Sequence, residues 1–197
     1  MHRRWFDLVL VSGGIIVFTP VMVGLSAAIW WEDGGDVFFV QERLGRHRRP
    51  FRILKLRSMR DGEVTRVGRW IRATGLDEVA QFRNVLRGEM RLVGPRPLTG
   101  DDVVRLGWDH ADADHRFAVP PGITGLAQVF GRGARPSLAL DEAYIRNQSL
   151  RLDAELVAIS FVVNALGKAR TRRLLQVSAA QRLRAVRLAH TVLRSSS

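Results

Sequence analysis

A run of 24 residues without a charge, Leu8 to Trp31, constrains this chain more than any other feature. Its only polar side chains are Ser12, Thr19 and Ser26. As a helix it would reach roughly 36 Å, more than the ~30 Å hydrocarbon core of a bilayer. Trp5, Trp30 and Trp31 stand at its two ends, where amphipathic indoles favour the membrane interface. The run is longer than the apolar region of a secretory signal, and no small-x-small cleavage site sits cleanly before Glu32-Asp33. A plain spanning helix and a re-entrant one then compete. Pro20, preceded by Thr19, falls mid-run, where proline removes a backbone hydrogen bond and bends a helix. A bent apolar helix can enter and leave by one face if a Ser or Thr hydroxyl re-satisfies the freed carbonyls. Arg3 and Arg4 precede the run, and Arg43, Arg46, Arg48 and Arg49 follow it. The positive-inside tendency therefore wants both flanks on the cytoplasmic side. Only the re-entrant geometry satisfies both, and it is the expectation.

The remaining chain suits one domain with a real core. There is no cysteine, so disulfides and thiolate metal sites are excluded. The net charge is +12, carried almost wholly by arginine, with Lys55 and Lys168 the only lysines. Eight of these charges lie between Lys168 and Arg194, a stretch with no acidic residue. The excess is thus mostly local, and aromatics do not alternate with bases as on an RNA-binding sheet. No nucleic-acid partner is expected. Val37–Val40 and Phe51–Leu54 read as strands around the turn-rich Leu44–Pro50. Val67–Ala73 and Leu76–Leu86 read as helices, the second with an apolar stripe of Leu76, Val79, Ala80, Phe82, Val85 and Leu86. Glycine and proline mark Gly88–Pro97 and Pro120–Gly133 as irregular loops. Leu152–Leu166 reads as a helix too short and too acidic, at Asp153 and Glu155, to span a membrane. Arg172–Arg194 suits either a basic amphipathic helix on anionic lipid or a solvated tail.

Asp77-Glu78 is the only adjacent acidic pair just inside a predicted helix start. Thr74-x-x-Asp77 fits a capping box, in which the acids serve the helix. The same position also holds a carboxylate ionised, hence nucleophilic, beside N–H donors that receive a phosphoryl group. Gly94-Pro95-Arg96-Pro97 is a stiff loop presenting one guanidinium, a fork suited to a phosphate or to a polar turn. In the stretch from Pro121 to Arg132, glycines permit close backbone approach to a ligand, with Gln128 and Arg132 as polar readers. No Walker loop, dinucleotide fingerprint or HExxH is present.

Together these segments resemble the bacterial sugar transferase family, the small monotopic phosphoglycosyl transferases. The resemblance covers roughly Arg4 to Lys168. It rests on an ordered set: Arg4-x-Phe6-Asp7, Thr19-Pro20, Phe39-x-Gln41-x-Arg43-x-Gly45, Phe51-x-x-x-Lys55-x-Arg57-Ser58-Met59, Leu76-Asp77-Glu78-x-x-Gln81-x-x-Asn84-Val85-Leu86-x-Gly88-x-Met90, Leu92-Val93-Gly94-Pro95-Arg96-Pro97, and Pro121-Gly122-Ile123-Thr124-Gly125-x-Ala127-Gln128-Val129. It implies a re-entrant membrane helix broken at Thr19-Pro20. It further implies transfer of a sugar-1-phosphate from a UDP-sugar to polyprenyl (undecaprenyl) phosphate. Asp77 falls on the family's nucleophile and Glu78 on its partner, either as general acid/base or as a ligand, with Asp77, of Mg²⁺. Arg72 and Arg96, then Lys55 and Arg57, are candidates to neutralise phosphate charge. The sequence departs from the family in a shortened segment, Arg60–Val64, in Leu126 where tryptophan is frequent, and in Gly131-Arg132-Gly133 and Ser137-Leu138. Those losses bear on nucleotide or sugar specificity more than on the reaction.

The expected fold is α/β mixed and mainly helical: a monotopic membrane protein with a re-entrant helix (1–34), a catalytic domain (35–170) and a basic tail (171–197). Interfacial amphipathic helices, a small β-element and long ordered loops complete it. The expected place is a bacterial inner membrane, with the catalytic domain on the cytoplasmic face. The expected partners are the lipid bilayer, the UDP-sugar and the polyprenyl phosphate, with a homodimer left open. The rival reading is a membrane-tethered scaffold of a glycan-assembly complex that has lost turnover.

Overall fold

The computed structural model describes residues 2–130 and 136–166. Arg132 and everything from Gly167 onward, the basic tail (171–197) included, lie outside the described residues. Within them the protein is α/β mixed and mainly helical, as expected.

Helix α1 runs from His2 to Asp33, through Pro20. Proline offers no N–H to the carbonyl four residues back, and the Thr19 hydroxyl donates to the Ile15 carbonyl at 2.6 Å in the same turn. It is the one described helix long and apolar enough to cross a membrane. One face is integral to the core. Asp7, Val11, Leu25 and Ile29 are buried, and Phe18 meets Phe82 edge-on with ring centroids 6.5 Å apart. Those positions recur at the three- and four-residue spacing of a helical stripe. The remaining surface leaves Ile16, Val17, Val23, Trp30 and Trp31 exposed.

After α1 comes a hairpin of β1 (Phe38–Leu44) and β2 (Pro50–Leu56), antiparallel with Phe39 opposite Lys55 and Gln41 opposite Ile53. Both strands extend beyond the apolar runs that announced them, because cross-strand pairing continues into Arg43 and Lys55. Short β3 (Met59–Arg60) and β4 (Glu63–Val64) lead into α2 (Arg66–Thr74). Thr65 caps α2 by accepting the Gly68 N–H at 2.9 Å, and Gly75 ends it at φ 74°, a left-handed conformation that favours glycine. A 3-10 turn, Leu76–Gln81, then precedes α3 (Phe82–Arg87).

The two glycine- and proline-rich loops are more regular than their composition suggests. Arg91–Val93 (β5) and Gly122–Thr124 (β6) pair in parallel. Between them lie α4 (Gly100–Arg105), closed by a Thr99–Asp102 capping box, and a 3-10 helix, Ala111–Ala118. A side chain at Gly122 would strike the Gly94 backbone, and one at Gly125 would strike the Gly94 carbonyl. Helices α5 (Leu126–Phe130), α6 (Leu138–Asn147) and α7 (Leu150–Leu166) close the domain.

Buried ion pairs tie distant segments together. Arg3 of α1 pairs with Asp153 of α7 at 2.7 Å, and Asp7 pairs with Arg91. The Tyr144 hydroxyl lies 2.8 Å from Asp153 and 3.0 Å from the Val93 carbonyl. At the other end of α1, the Glu32 carboxylate accepts the Arg66 and Val67 N–H groups at 2.7 and 3.0 Å, and Asp33 pairs with Arg57. Both ends of α1 are therefore fastened to one body.

Candidate active site

The acidic pair sits in a different local structure from the one the sequence suggests. Thr74 is the last residue of α2, and its hydroxyl donates back to the Trp70 and Ile71 carbonyls at 3.0 and 3.1 Å. It therefore does not cap the next segment. The left-handed Gly75 starts that segment without a side-chain cap. Leu76–Gln81 is 3-10 rather than α-helical, and α-helix resumes only at Phe82. In a 3-10 turn, residues three apart eclipse one another. Glu78 and Gln81 consequently project from one edge, and both line a small cleft.

Three further elements build the cleft. Strand alternation sends Arg43, Ile53 and Lys55 to one face of the β1–β2 hairpin. The loop after β5 supplies Arg96 and Pro97, and β6 supplies Gly122 and Ile123. Arg96 lies 3.9 Å and Lys55 4.0 Å from a Glu78 carboxylate oxygen. Asp77 is half-buried beside Glu78 in the same turn, near the cleft but not on its wall. Burial holds the Lys55 ammonium below the ordinary lysine value; Glu78 opposes this, Arg96 reinforces it, and Asp77 and Arg43 add lesser effects of opposite sign. Two cations, Lys55 and Arg96, thus face the Glu78 carboxylate, and Arg43 completes the cleft wall. Positive groups converging on one edge suit a multiply charged anion.

The Arg96 loop is immobilised through its carbonyls. Gly94 accepts from Gln128 Nε2 at 3.3 Å, and Pro95 from the Gly122 N–H at 2.9 Å. Arg96 accepts from Arg116 at 2.6 Å and Pro97 from Arg43 at 3.3 Å. Arg43 in turn pairs with Asp102 at 3.1 Å.

The structure brings Asp77, Glu78, Lys55 and Arg96 together, and it places the other candidates elsewhere. Arg57 is engaged by Asp33 and fastens α1 to β2. Gln128 braces the Gly94 carbonyl, and its buried Oε1 has no hydrogen-bond partner among the described residues. Arg72 is exposed on the last turn of α2, outside the cleft wall. Sequence reasoning assigned no role in the site to Arg43 or Gln81. Both stand in the ordered motifs, and that membership was the available signal.

The sequence was also compared with known proteins. Residues 1–166 match the profile of the bacterial sugar transferase family. The chain is 38% identical over 181 residues to the UDP-glucose:undecaprenyl-phosphate glucose-1-phosphate transferase of Caulobacter vibrioides, covering 80% of this chain and 67% of that protein. It is 37% identical over 188 residues to the undecaprenyl-phosphate glucose phosphotransferase of Komagataeibacter xylinus, covering 81% of this chain and 35% of that protein. It is 32% identical over 189 residues to the exopolysaccharide production protein ExoY of Rhizobium meliloti, covering 80% of this chain and 82% of that protein. Against several of the similar relatives the chain spans only about two fifths of their length, as with the 41% covered in the Aeromonas hydrophila N-acetylgalactosaminephosphotransferase. With the profile matched across most of its length, this chain belongs to the bacterial sugar transferase family.

Proposed function

We propose that the protein transfers a sugar-1-phosphate from a UDP-sugar to polyprenyl phosphate, the first membrane step of a bacterial glycan or exopolysaccharide. The observation that carries this reading is the Glu78 carboxylate, adjacent to Asp77, set against the Lys55 and Arg96 cations with Arg43 on the same cleft wall. An Asp77 carboxylate oxygen attacks the β-phosphorus of the UDP-sugar. The bond from that phosphorus to the bridging oxygen breaks, and UMP leaves with the oxygen and its electron pair. The phosphosugar is then held on Asp77 until an oxygen of the polyprenyl phosphate attacks the same phosphorus and frees the carboxylate. Lys55 and Arg96, already beside Glu78, offset the charge that accumulates as two anions meet. Arg72, exposed one turn before Asp77, is free to meet the acceptor phosphate. Glu78 serves as the proton-handling partner.

Magnesium fits this donor set. Among the described residues no group of three His, Cys, Asp or Glu could hold a metal. Asp77 and Glu78 would be the carboxylates that hold it, hard oxygen donors of the kind Mg²⁺ takes alongside substrate phosphates. When bound, the ion supplies further neutralisation of phosphate charge.

The membrane geometry belongs to the same reading. Both ends of α1 are fastened to one body, by Arg3–Asp153 and by Glu32 and Asp33. That favours a helix which dips into one leaflet over a helix whose ends lie on opposite sides. The catalytic body then faces the cytoplasm, where nucleotide-sugars are made.

The test is UMP release by membranes carrying the protein, given Mg²⁺, undecaprenyl phosphate and a panel of UDP-sugars. Release that needs Mg²⁺ and falls at least ~10³-fold in Asp77→Asn is expected. Absence of release with every sugar, from protein shown to be folded and membrane-bound, overturns the reading and favours the scaffold.

A further inference from the structure

Arg116 and Asp141 form the most deeply buried ion pair among the described residues, with both side chains 2% exposed and Nε 2.7 Å from Oδ2. Neither lines the cleft. Burial pulls the Arg116 guanidinium down from its ordinary value and pushes the Asp141 carboxyl up, each countered by the other. A pair so placed gives little net stability. Its desolvation offsets its attraction, and well-packed apolar replacements are often neutral or stabilising. Its geometry, however, does something an apolar pair cannot. The second arm of the Arg116 fork donates to the Arg96 carbonyl at 2.6 Å. Trp108 and Phe117 lie against the guanidinium, each ring centroid 5.3 Å away, so the fork is held from several sides. Asp141 itself projects from the first turn of α6, behind its Ser137 cap.

We infer that the Arg116–Asp141 pair is a strut that positions the Arg96 guanidinium, making both positioning residues for phosphate binding. The loop needs an outside donor at this point. Pro95 and Pro97 have no N–H, and strand pairing ends at Val93 and Thr124. The Arg96 carbonyl lies between the Pro95 carbonyl, held by β6, and the Pro97 carbonyl, held by Arg43. Without Arg116 the residue whose side chain enters the cleft becomes the one point of the loop whose carbonyl has lost its donor. A displacement of about 1 Å at such a point costs up to about a hundredfold in rate. The inference rests on the reading of Arg96 as a phosphate ligand, and its test separates the two.

Two variants serve: Arg116→Lys, which keeps the Asp141 pair but loses the fork, and Arg116→Met with Asp141→Leu, which removes both charges. Hydrogen exchange on the full chain in detergent reads the strut through the Gly94, Arg96 and Leu98 amides, the N–H groups that residues 94–98 carry. Faster exchange over residues 94–98 with an unchanged β1–β2 hairpin is expected in both variants. Unchanged exchange over 94–98 overturns the strut whatever the ligand. Uridine diphosphate binding with Mg²⁺ reads the consequence. Each strut variant should weaken it about tenfold in the Arg96 background and less than about twofold in an Arg96→Ala background, the non-additivity expected of residues that act through one another. Equal losses in both backgrounds mean a general structural effect and overturn the positioning role. Undiminished binding in Arg96→Ala itself overturns the phosphate reading instead, and the exchange result still decides the strut. Should the double variant fail to fold, Arg116→Lys carries both arms.

Discussion

At the residue scale, one lysine couples the site to pH. Lys55 lies 4.0 Å from Glu78, and burial depresses its pKa in the native state. Between that depressed value and the ordinary lysine value, the unfolded chain binds more protons than the native one. Raising pH through this window therefore stabilises the fold, while removing a positive charge from the cleft. Stability and phosphate binding move in opposite directions on the alkaline side. The kcat/KM for a UDP-sugar should decline at a pH below the ordinary lysine range, and Lys55→Arg should remove that limb because arginine stays charged. A Lys55→Arg profile with the same limb assigns it to another group. For Arg96, removal of the guanidinium should cost about 10²-fold in kcat/KM, the size expected for one preorganised charge donor, measured at saturating undecaprenyl phosphate.

At the scale of elements, glycine decides whether the cleft can form. A Cβ at Gly122 collides with the Gly94 backbone, whereas Gly100 has nothing within 4 Å. Backbone against backbone cannot yield by a rotamer change. Gly122→Ala should therefore lose about 3 kcal/mol of stability by overpacking, and Gly100→Ala should stay within about 0.5 kcal/mol. Thermal unfolding in detergent compares them, and equal melting points refute the close packing of β5 and β6. The same pair of strands shows where sequence reading stops. The hairpin and α7 were legible because alternation and apolar length announce them locally. Strands β5 and β6 are three residues each and pair across a connection through α4, so glycine and proline signalled only loops. The pair Asp77-Glu78 was legible as a motif, but its 3-10 geometry was not. Gly75 interrupts the helix there, while residue propensities scarcely separate one tight helix from another. The predicted stripe failed in part for the same reason, since Gln81 and Asn84 are buried and Leu86 is exposed. Asn84 earns its burial by donating to the Arg52 carbonyl at 2.8 Å along the outer edge of β2.

At the scale of the whole molecule, the helix long and apolar enough to cross a membrane is also a scaffold. Leu25 and Ile29 pack with Leu56 and Ile71, and Leu76 of the reactive turn joins that cluster. Phe82, at the other end of the turn, touches Gly14 and Phe18. The Asp77 turn is thus seated on α1 at both ends, which is the packing that the proposed re-entrant topology would keep intact. Pro20 and the flanking arginines pointed to a re-entrant helix, but not to this seating, because contacts such as Arg3 with Asp153 join residues far apart in sequence. The topology that follows can be measured cleanly, since the chain has no native cysteine. Single cysteines replacing His2 and Asp36 flank the helix, and a membrane-impermeant maleimide reports which side each occupies. In sealed inside-out vesicles both positions should label, and in intact spheroplasts neither should. Labelling of one position from each side means a spanning helix. The contacts at one end of α1 would then have to be broken in the membrane, and with them the seat of the catalytic turn.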